Sequence, residues 1–386
     1  MVLVKAELLL RNASPRRIIH RISPLMALAT IATITAVILV ATLLPLSRGT
    51  AWWIRDFDFP RLQIATLAIL ALVAQTIWLD KSAPVTWMLM AGTVFCLAYQ
   101  AWWIIPYTRP YPNEVKLHVG NPGAERIRVL TANVLSPNHN SDGLIALIRE
   151  YEPDIFVTLE SDAWWEKQLD ALESEYPHAI KCPLENLYGM HVYSKLPLED
   201  SAIQFLVQPG IPSIHTAAVL KSGKRVRMHF LHPAPPSPTE NMESRERDAE
   251  LVMVAKSIAH LDTPVIVAGD LNDVAWSPTT RLFRKLSGLL DPRIGRGMFN
   301  TFHADHWFLR WPLDHLFHSR HFTLSFIKRL PGFGSDHFPV VVELVYDEVE
   351  GRHEHGLVAD AEENEIANEK LEAANAKVSD VHEPSA

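Results

Sequence analysis

Side chains able to do ligand or acid–base chemistry recur in one kind of place along this chain: where an apolar, strand-like run ends. "VIVAGDLND" stops a β-branched run on Asp270 and Asn272. The two are two residues apart, so in extended backbone they point the same way. "RVLTAN" ends on Asn133, "DIFVTLE" on Glu160 and "VRMHFLH" on His232. "WPLDHLF" carries Asp314, and "GSDHFPVVVEL" sets Ser335, Asp336 and His337 just before another run. Each junction alone reads as well as a turn, because Gly, Asn and Asp favour turns for backbone reasons. Together the six present Asn, Glu, His, Asp with Asn, Asp, and Asp with His, and that set reads as one site. Polar groups aimed together from strand ends suit a ligand or a metal.

The elements that must position them follow from pattern. Strands are predicted at 127–134, 154–159, 190–194, 225–231, 265–269, 322–327 and 340–345, and helices at 144–151, 163–173, 243–260 and 279–286. The alternation predicts an α/β sandwich with helices outside the sheets, over residues 126–346. Leu251, Val254, Ala255 and Ile258 form an amphipathic stripe on the helix at 243–260, which reads as core packing.

Two regions flank this domain. Segments 25–46, 62–79 and 85–105 hold no charged residue, and at about 18–22 residues each is long enough to cross a bilayer as a helix. Trp52, Trp53, Trp78, Trp87, Trp102 and Trp103 cluster at their ends like an interfacial belt. Residues 1–106 are therefore expected to be a membrane region, joined by a linker at 107–125. Lys5, Arg11, Arg16, Arg17 and Arg21 precede the first span, and the positive-inside rule then puts the domain outside the cytoplasm, in a multi-pass protein of bacterial inner-membrane type. Arg48, Arg55 and Arg61 in the first loop argue the other way. The last stretch, 347–386, has 12 acidic and 3 basic residues and no aromatics. It is expected to be a disordered acidic tail, with a charged helix at 365–377 as a weaker alternative. Two cysteines, Cys96 and Cys182, imply no disulfide framework.

In their order, "GDLN" and "SDHFPV" with the other strand ends resemble the endonuclease/exonuclease/phosphatase superfamily, which includes pancreatic-type DNases, apurinic endonucleases, neutral sphingomyelinases and inositol-polyphosphate 5-phosphatases. The resemblance spans 126–346. It implies a four-layer α/β sandwich, two packed mixed sheets flanked by helices, here preceded by three transmembrane helices. It also implies roles. Glu160 resembles the acid that holds a divalent metal, usually Mg²⁺ with Mn²⁺ as a substitute, and Asp336 a further acid near that metal. Asp270 resembles the residue that orients or deprotonates the attacking water. Asn133 and Asn272 resemble its neighbours at the phosphate or metal. His337 resembles the histidine on the scissile phosphate, with Asp314 as its carboxylate partner. His232 matches a second histidine of the DNases and sphingomyelinases. "NLYGMHVYS" resembles a segment in which an aromatic or amide contacts substrate, and Tyr188 is its candidate.

The expected function is metal-dependent hydrolysis of a phosphomonoester or phosphodiester, by in-line attack of an activated water. The rival is a non-catalytic domain that binds a phosphorylated ligand or a partner. A transporter is disfavoured, because spans without charge offer no ion path. The substrate is expected to be either nucleic acid or a phospholipid or its headgroup, with membrane lipid as a partner through the anchor and no protein partner implied. His303, His306, His315, His318 and His321 crowd one segment; polar surface is expected there rather than zinc.

Overall fold

The computed structural model describes residues 23–120, 123–259, 261–347 and 356–385. The basic residues between Lys5 and Arg21 lie outside the described residues.

Three helices come first: α1 (Pro24–Leu43), α2 (Arg61–Trp78) and α3 (Pro84–Ile104). With their short extensions they are long and apolar enough to cross a membrane. Ser23 starts α1 by accepting from the Met26 amide, with Pro24 in the first turn. The bundle packs through Ile38, Ala41, Ile64, Ala68, Ala71 and Cys96. Small alanines let the helices approach, and the Gln75 amide ties all three by donating to Thr35 Oγ1 at 2.9 Å and Thr93 Oγ1 at 2.8 Å. Leu67, Leu70, Val73, Val94 and Phe95 face outward.

The remainder is a sandwich. One sheet has the order β10-β11-β1-β2-β4-β3 and the other β5-β6-β7-β8-β9. In chain order the strands are β1 (Arg126–Asn133), β2 (Ile155–Leu159), β3 (His178–Cys182), β4 (Met190–Ser194), β5 (Leu198–Gln204), β6 (Ser213–Val219), β7 (Arg225–Leu231), β8 (Val265–Asp270), β9 (Asp314–His318), β10 (Phe322–Arg329) and β11 (Val340–Tyr346). Strand alternation separates the layers. Ile127 and Val129 of β1 and Ile266 and Ala268 of β8 fill the space between the sheets. Leu130 and Ala132 pack outward on α4 (Ser141–Tyr151) and α5 (Ala163–Leu169). Val265 and Val267 pack outward on α6 (Arg245–Ser257) and α7 (Pro278–Ser287).

Three sequence expectations change. The tail is not disordered where it is described. Asp360 opens α8 (Ala361–Ala373) with a capping box to Glu363. Ala367 and Val381 are buried in the cluster around α6, and Lys370 donates to Asp248 at 2.6 Å. The tail's few apolar residues find a ready surface on α6, so they need no core of their own. Accordingly α6 is buried almost all round, not on one stripe. The stretch read as a linker is packed as well: Val115 lies in the inter-sheet core, and Glu114 pairs with Arg284.

Among the described residues the helices meet the sandwich at one end. Where α1 finishes, α2 begins and α3 finishes, Trp276 Nε1 donates to Asp58 O at 3.1 Å and Tyr107 Oη to Ala275 O at 2.6 Å. Asp58 is itself held by Arg61 at 2.5 Å and Arg55 at 3.4 Å.

Candidate active site

Strand direction explains why the polar residues converge. β1 and β2 are parallel, and β11 runs against β1, so Asn133, the residue after β2 and the residues before β11 share one edge. β7 and β8 are parallel, and β9 runs against β8 with Asp270 opposite Asp314. The two edges face each other across the sandwich, and all the strand-end candidates meet there.

Local backbone sets the aim. Gly269 has φ of 144° and sits so close to β7 that a Cβ would lie 2.0 Å from Leu231 O, which only glycine permits. Asp270 follows, and its Oδ1 accepts from the Asn272 amide at 2.9 Å. Asn272 is left-handed at φ 49°, and its side-chain amide donates to Pro233 O at 3.1 Å, fastening the His232 loop to the Asp270 turn. Glu160 is left-handed too, at φ 58°, which turns its carboxylate back over the sheet edge.

At the centre lies an Asp–His–Asp arrangement. His337 Nδ1 is 2.8 Å from Asp314 Oδ2, and Nε2 is 3.5 Å from Asp270 Oδ2. Burial alone would lower His337, but Asp314 and Asp270 outweigh it and push the imidazole up to about 10. Burial raises the Asp270 carboxyl, against the pull of His337. Beside them, Asn133 Nδ2 donates to Glu160 Oε1 at 2.8 Å and reaches Asp270 Oδ2 at 3.4 Å. Glu160 Oε2 is buried with no hydrogen-bond partner, as is Asp314 Oδ1. Burial pushes the Glu160 carboxyl up to about 7; the Asn133 amide opposes the rise, and Asp336 and Asp270 add to it.

His232 is buried, with Nδ1 unpartnered and its ring 5.1 Å from Tyr188. Burial lowers it to about 4, so it is neutral at pH 7. Tyr188 lies at the rim, with its hydroxyl on Glu240. Asp336 is half-buried beside Ser335, and its charge is felt by both Glu160 and His337.

Two groupings could hold a cation. Asp270, Asp314 and His337 bring one ligand atom each within 4.8 Å of one another, the only such trio among the described residues. Both nitrogens of His337 are already turned on carboxylates, however, and an imidazolium cannot ligate. Glu160, with a free buried oxygen and Asp336 near it, has the better donor set for a hard cation. The five histidines at 303–321 do not converge. His315, His318 and His321 are buried rather than at the surface; His315 bridges Arg293 at 2.7 Å and Asp273 O at 2.9 Å.

Several supports have roles that the sequence pattern does not assign. Ser335 Oγ donates to Asn133 O at 2.8 Å and accepts from the His337 amide at 3.0 Å, tying the end of β1 to the start of β11. Phe302 lays its ring 4.9 Å from His337. Arg247, fully buried on α6, donates to Asn272 O at 2.8 Å and stands 3.5 Å from Asp273. Ser335 sits inside the "SDH" string and was the findable one; Arg247 lies in a helix whose pattern carries no such mark.

A family model described as the Endonuclease/Exonuclease/phosphatase family matches residues 130–337. Among curated proteins none matches the chain. Similar solved structures include the endonuclease/exonuclease/phosphatase from Beutenbergia cavernae DSM 12333, at TM-score 0.47 and 18% identity over 58% of this chain and 72% of that one. D. rerio TDP2 complexed with single-strand DNA product is similar at TM-score 0.47 and 15% identity, over 57% of this chain and 98% of that one. The human Nocturnin catalytic domain with bound sulfate is similar at TM-score 0.47 and 19% identity, over 57% and 94%.

Proposed function

The chain belongs to the endonuclease/exonuclease/phosphatase family, and from that premise we propose that it is a membrane-anchored, metal-dependent phosphoesterase. The observation that carries the reading is the buried, unpartnered Glu160 oxygen beside an Asp–His–Asp cluster. A buried acid without a partner is costly to keep unless a ligand completes it.

Glu160 and Asp336 would hold a divalent cation, Mg²⁺ or Mn²⁺. Such an ion supplies positive charge for a phosphoryl oxygen. The chain's own residues do the rest. Asp270, raised by burial, accepts the proton of the attacking water as its oxygen bonds to phosphorus and the ester oxygen leaves. His337, held charged by Asp314, faces the developing negative charge. Asn133 and Asn272 fix the Asp270 carboxylate and the water's line of approach. Neutral His232 donates a hydrogen bond, and Tyr188 closes the substrate side at the rim.

The three apolar helices form the anchor, with the catalytic domain outside the cytoplasm. Five basic residues precede α1, and Lys81, between α2 and α3, shares their side, six in all against Arg48, Arg55, Arg61, Arg109 and Lys116 on the other. Reporter fusions after Tyr111 test this, and activity there of a reporter that works only in the cytoplasm would reverse the orientation.

The activity test is hydrolysis of bis(p-nitrophenyl) phosphate by the full chain in detergent. Wild type should turn over and stop with chelator. Asp270→Asn should fold normally and lose on the order of 10²–10⁴-fold, the usual contribution of a general base. Equal rates for the two, or indifference to chelator, would refute the proposal.

A further inference from the structure

The excursion between Thr301 and Trp311 joins the site to the membrane helices. Its base is fixed at the site: Phe302 bridges to His337, and the Ala304 amide donates to Asp336 O at 2.7 Å. Its other side is fixed to the helices. Trp311 packs edge-on against Phe59 at 5.7 Å, and Gln63 Nε2 donates to Phe308 O at 2.8 Å. Gln63 lies in the first turn of α2, beside Leu62 and just before the outward-facing Leu67 and Leu70. The tip therefore stands at the level where the apolar outer surface of the bundle begins.

What the tip carries at that level is unlike a soluble loop. Trp307 is 79% exposed, Phe308 56% and Leu309 37%. Trp53 and Trp102 are exposed at the same end of the bundle, and Trp78 and Trp87 at the other, which is the spacing of two interfacial aromatic belts. Between tip and site the excursion carries Asp305, and below it lie two arginines. Arg310 and Arg329 both stack on the Phe338 ring, at 5.0 and 4.4 Å, and their hydrogen bonds go to backbone carbonyls of Ala304, His303 and Asn300. Neither forms an ion pair among the described residues. Arg329 also lines a cleft of about 590 Å³ with Arg109, which follows the third span directly.

We propose that the 301–311 excursion is a lip seated in the bilayer surface, and that the substrate is a phosphate ester carried by a membrane lipid. The proposal rests on the phosphoesterase and anchor readings above. Apolar tip, flanking arginines and site edge follow one another along the excursion, so the phosphate of a lipid whose chains stay in the leaflet lies on the route to His337. Nucleic acid would meet the same arginines and can stack bases on Trp and Phe, but it has no use for exposed Leu309 or for a tip set at the edge of an apolar bundle.

The test uses the full chain reconstituted in liposomes of total bacterial polar lipid, with phosphoester release read by mass spectrometry and bis(p-nitrophenyl) phosphate as the soluble control. Wild type should release headgroup or phosphate from the liposomes. Trp307→Ser/Phe308→Ser should lower the ratio of lipid to soluble turnover tenfold or more. Turnover of the soluble diester with none of lipid, or cleavage of added single-stranded DNA or RNA instead, would overturn the lipid proposal and leave the phosphoesterase reading standing. An unchanged ratio in the double variant would overturn the lip. Inactivity on every phosphate ester would bring down the underlying reading.

Discussion

Where β1 begins, Glu343 takes Arg126 at 2.8 Å and Arg128 at 2.5 Å, and Asp154 takes the Arg128 amide at 2.7 Å. Where β1 finishes, Glu160, Asp270, Asp314 and Asp336 gather around one charged histidine, and two of their buried oxygens have no partner. Both ends of the sandwich are crowded with charge, and a cleft of about 690 Å³ opens at the first end. Size and charge alone do not separate the two ends. What differs is balance. Matched acids and bases hold strands together, whereas an excess of buried acid is stable only with a cation or a substrate to complete it.

The largest effect of the three is expected from taking one acid away from the charged histidine. Asp314→Asn removes the partner that keeps His337 charged, so the imidazole's pKa should fall from about 10 and the upper limb of the pH–rate profile should move to lower pH. Turnover should drop by about 10²–10³, and fold stability should change little. A pH profile identical to wild type would break the distinction between the two ends.

Lys370→Ala asks whether the tail belongs with the balanced charges. Asp248 is 2% exposed and leans on both Lys370 and Arg247, which hold its carboxyl well below the usual range despite burial. Losing one partner should cost about 1–3 kcal/mol in thermal unfolding. Because the folded carboxyl is depressed, wild type's advantage is present above the ordinary carboxylate range and fades as pH falls through it. No change in melting temperature at pH 7 would return the tail to an appendage.

Glu343→Gln should have the smallest effect. The arginines it meets are partly exposed, so about 1 kcal/mol is at stake. Its carboxyl is lowered by Ser325, Arg128 and Arg126 against burial, so the difference from wild type should again vanish in acid, and turnover should stay within about twofold. A large loss of activity would show that this end is catalytic too.

Much of the site was legible because chemistry concentrates where strands stop. Seven strands were visible as apolar runs, and their ends carry the residues that meet apart from Asp314, which opens β9. Four strands were not. β5 is an edge strand with its polar residues out, reading LEDSAIQ, and β6 is small and mixed, SIHTAAV. β3 is short and only half-buried. β9, DHLFH, hid because histidines suggest surface, yet His315 and His318 are buried and bonded inside. The tail misled for a related reason. Its composition cannot form a core, but Ala367 and Val381 need only cover α6. Supports such as Arg247 leave no local pattern at all, since their meaning comes from Asn272 and Asp273, some 25 residues away and across the fold.

The most direct measurement is Mn²⁺ binding to the detergent-solubilised full chain, followed by electron paramagnetic resonance, for wild type, Glu160→Gln and Glu343→Gln. Wild type and Glu343→Gln should bind alike, and Glu160→Gln should bind at least tenfold more weakly. Undiminished binding by Glu160→Gln, or a loss confined to Glu343→Gln, would contradict the claim that the unpartnered acids mark the site.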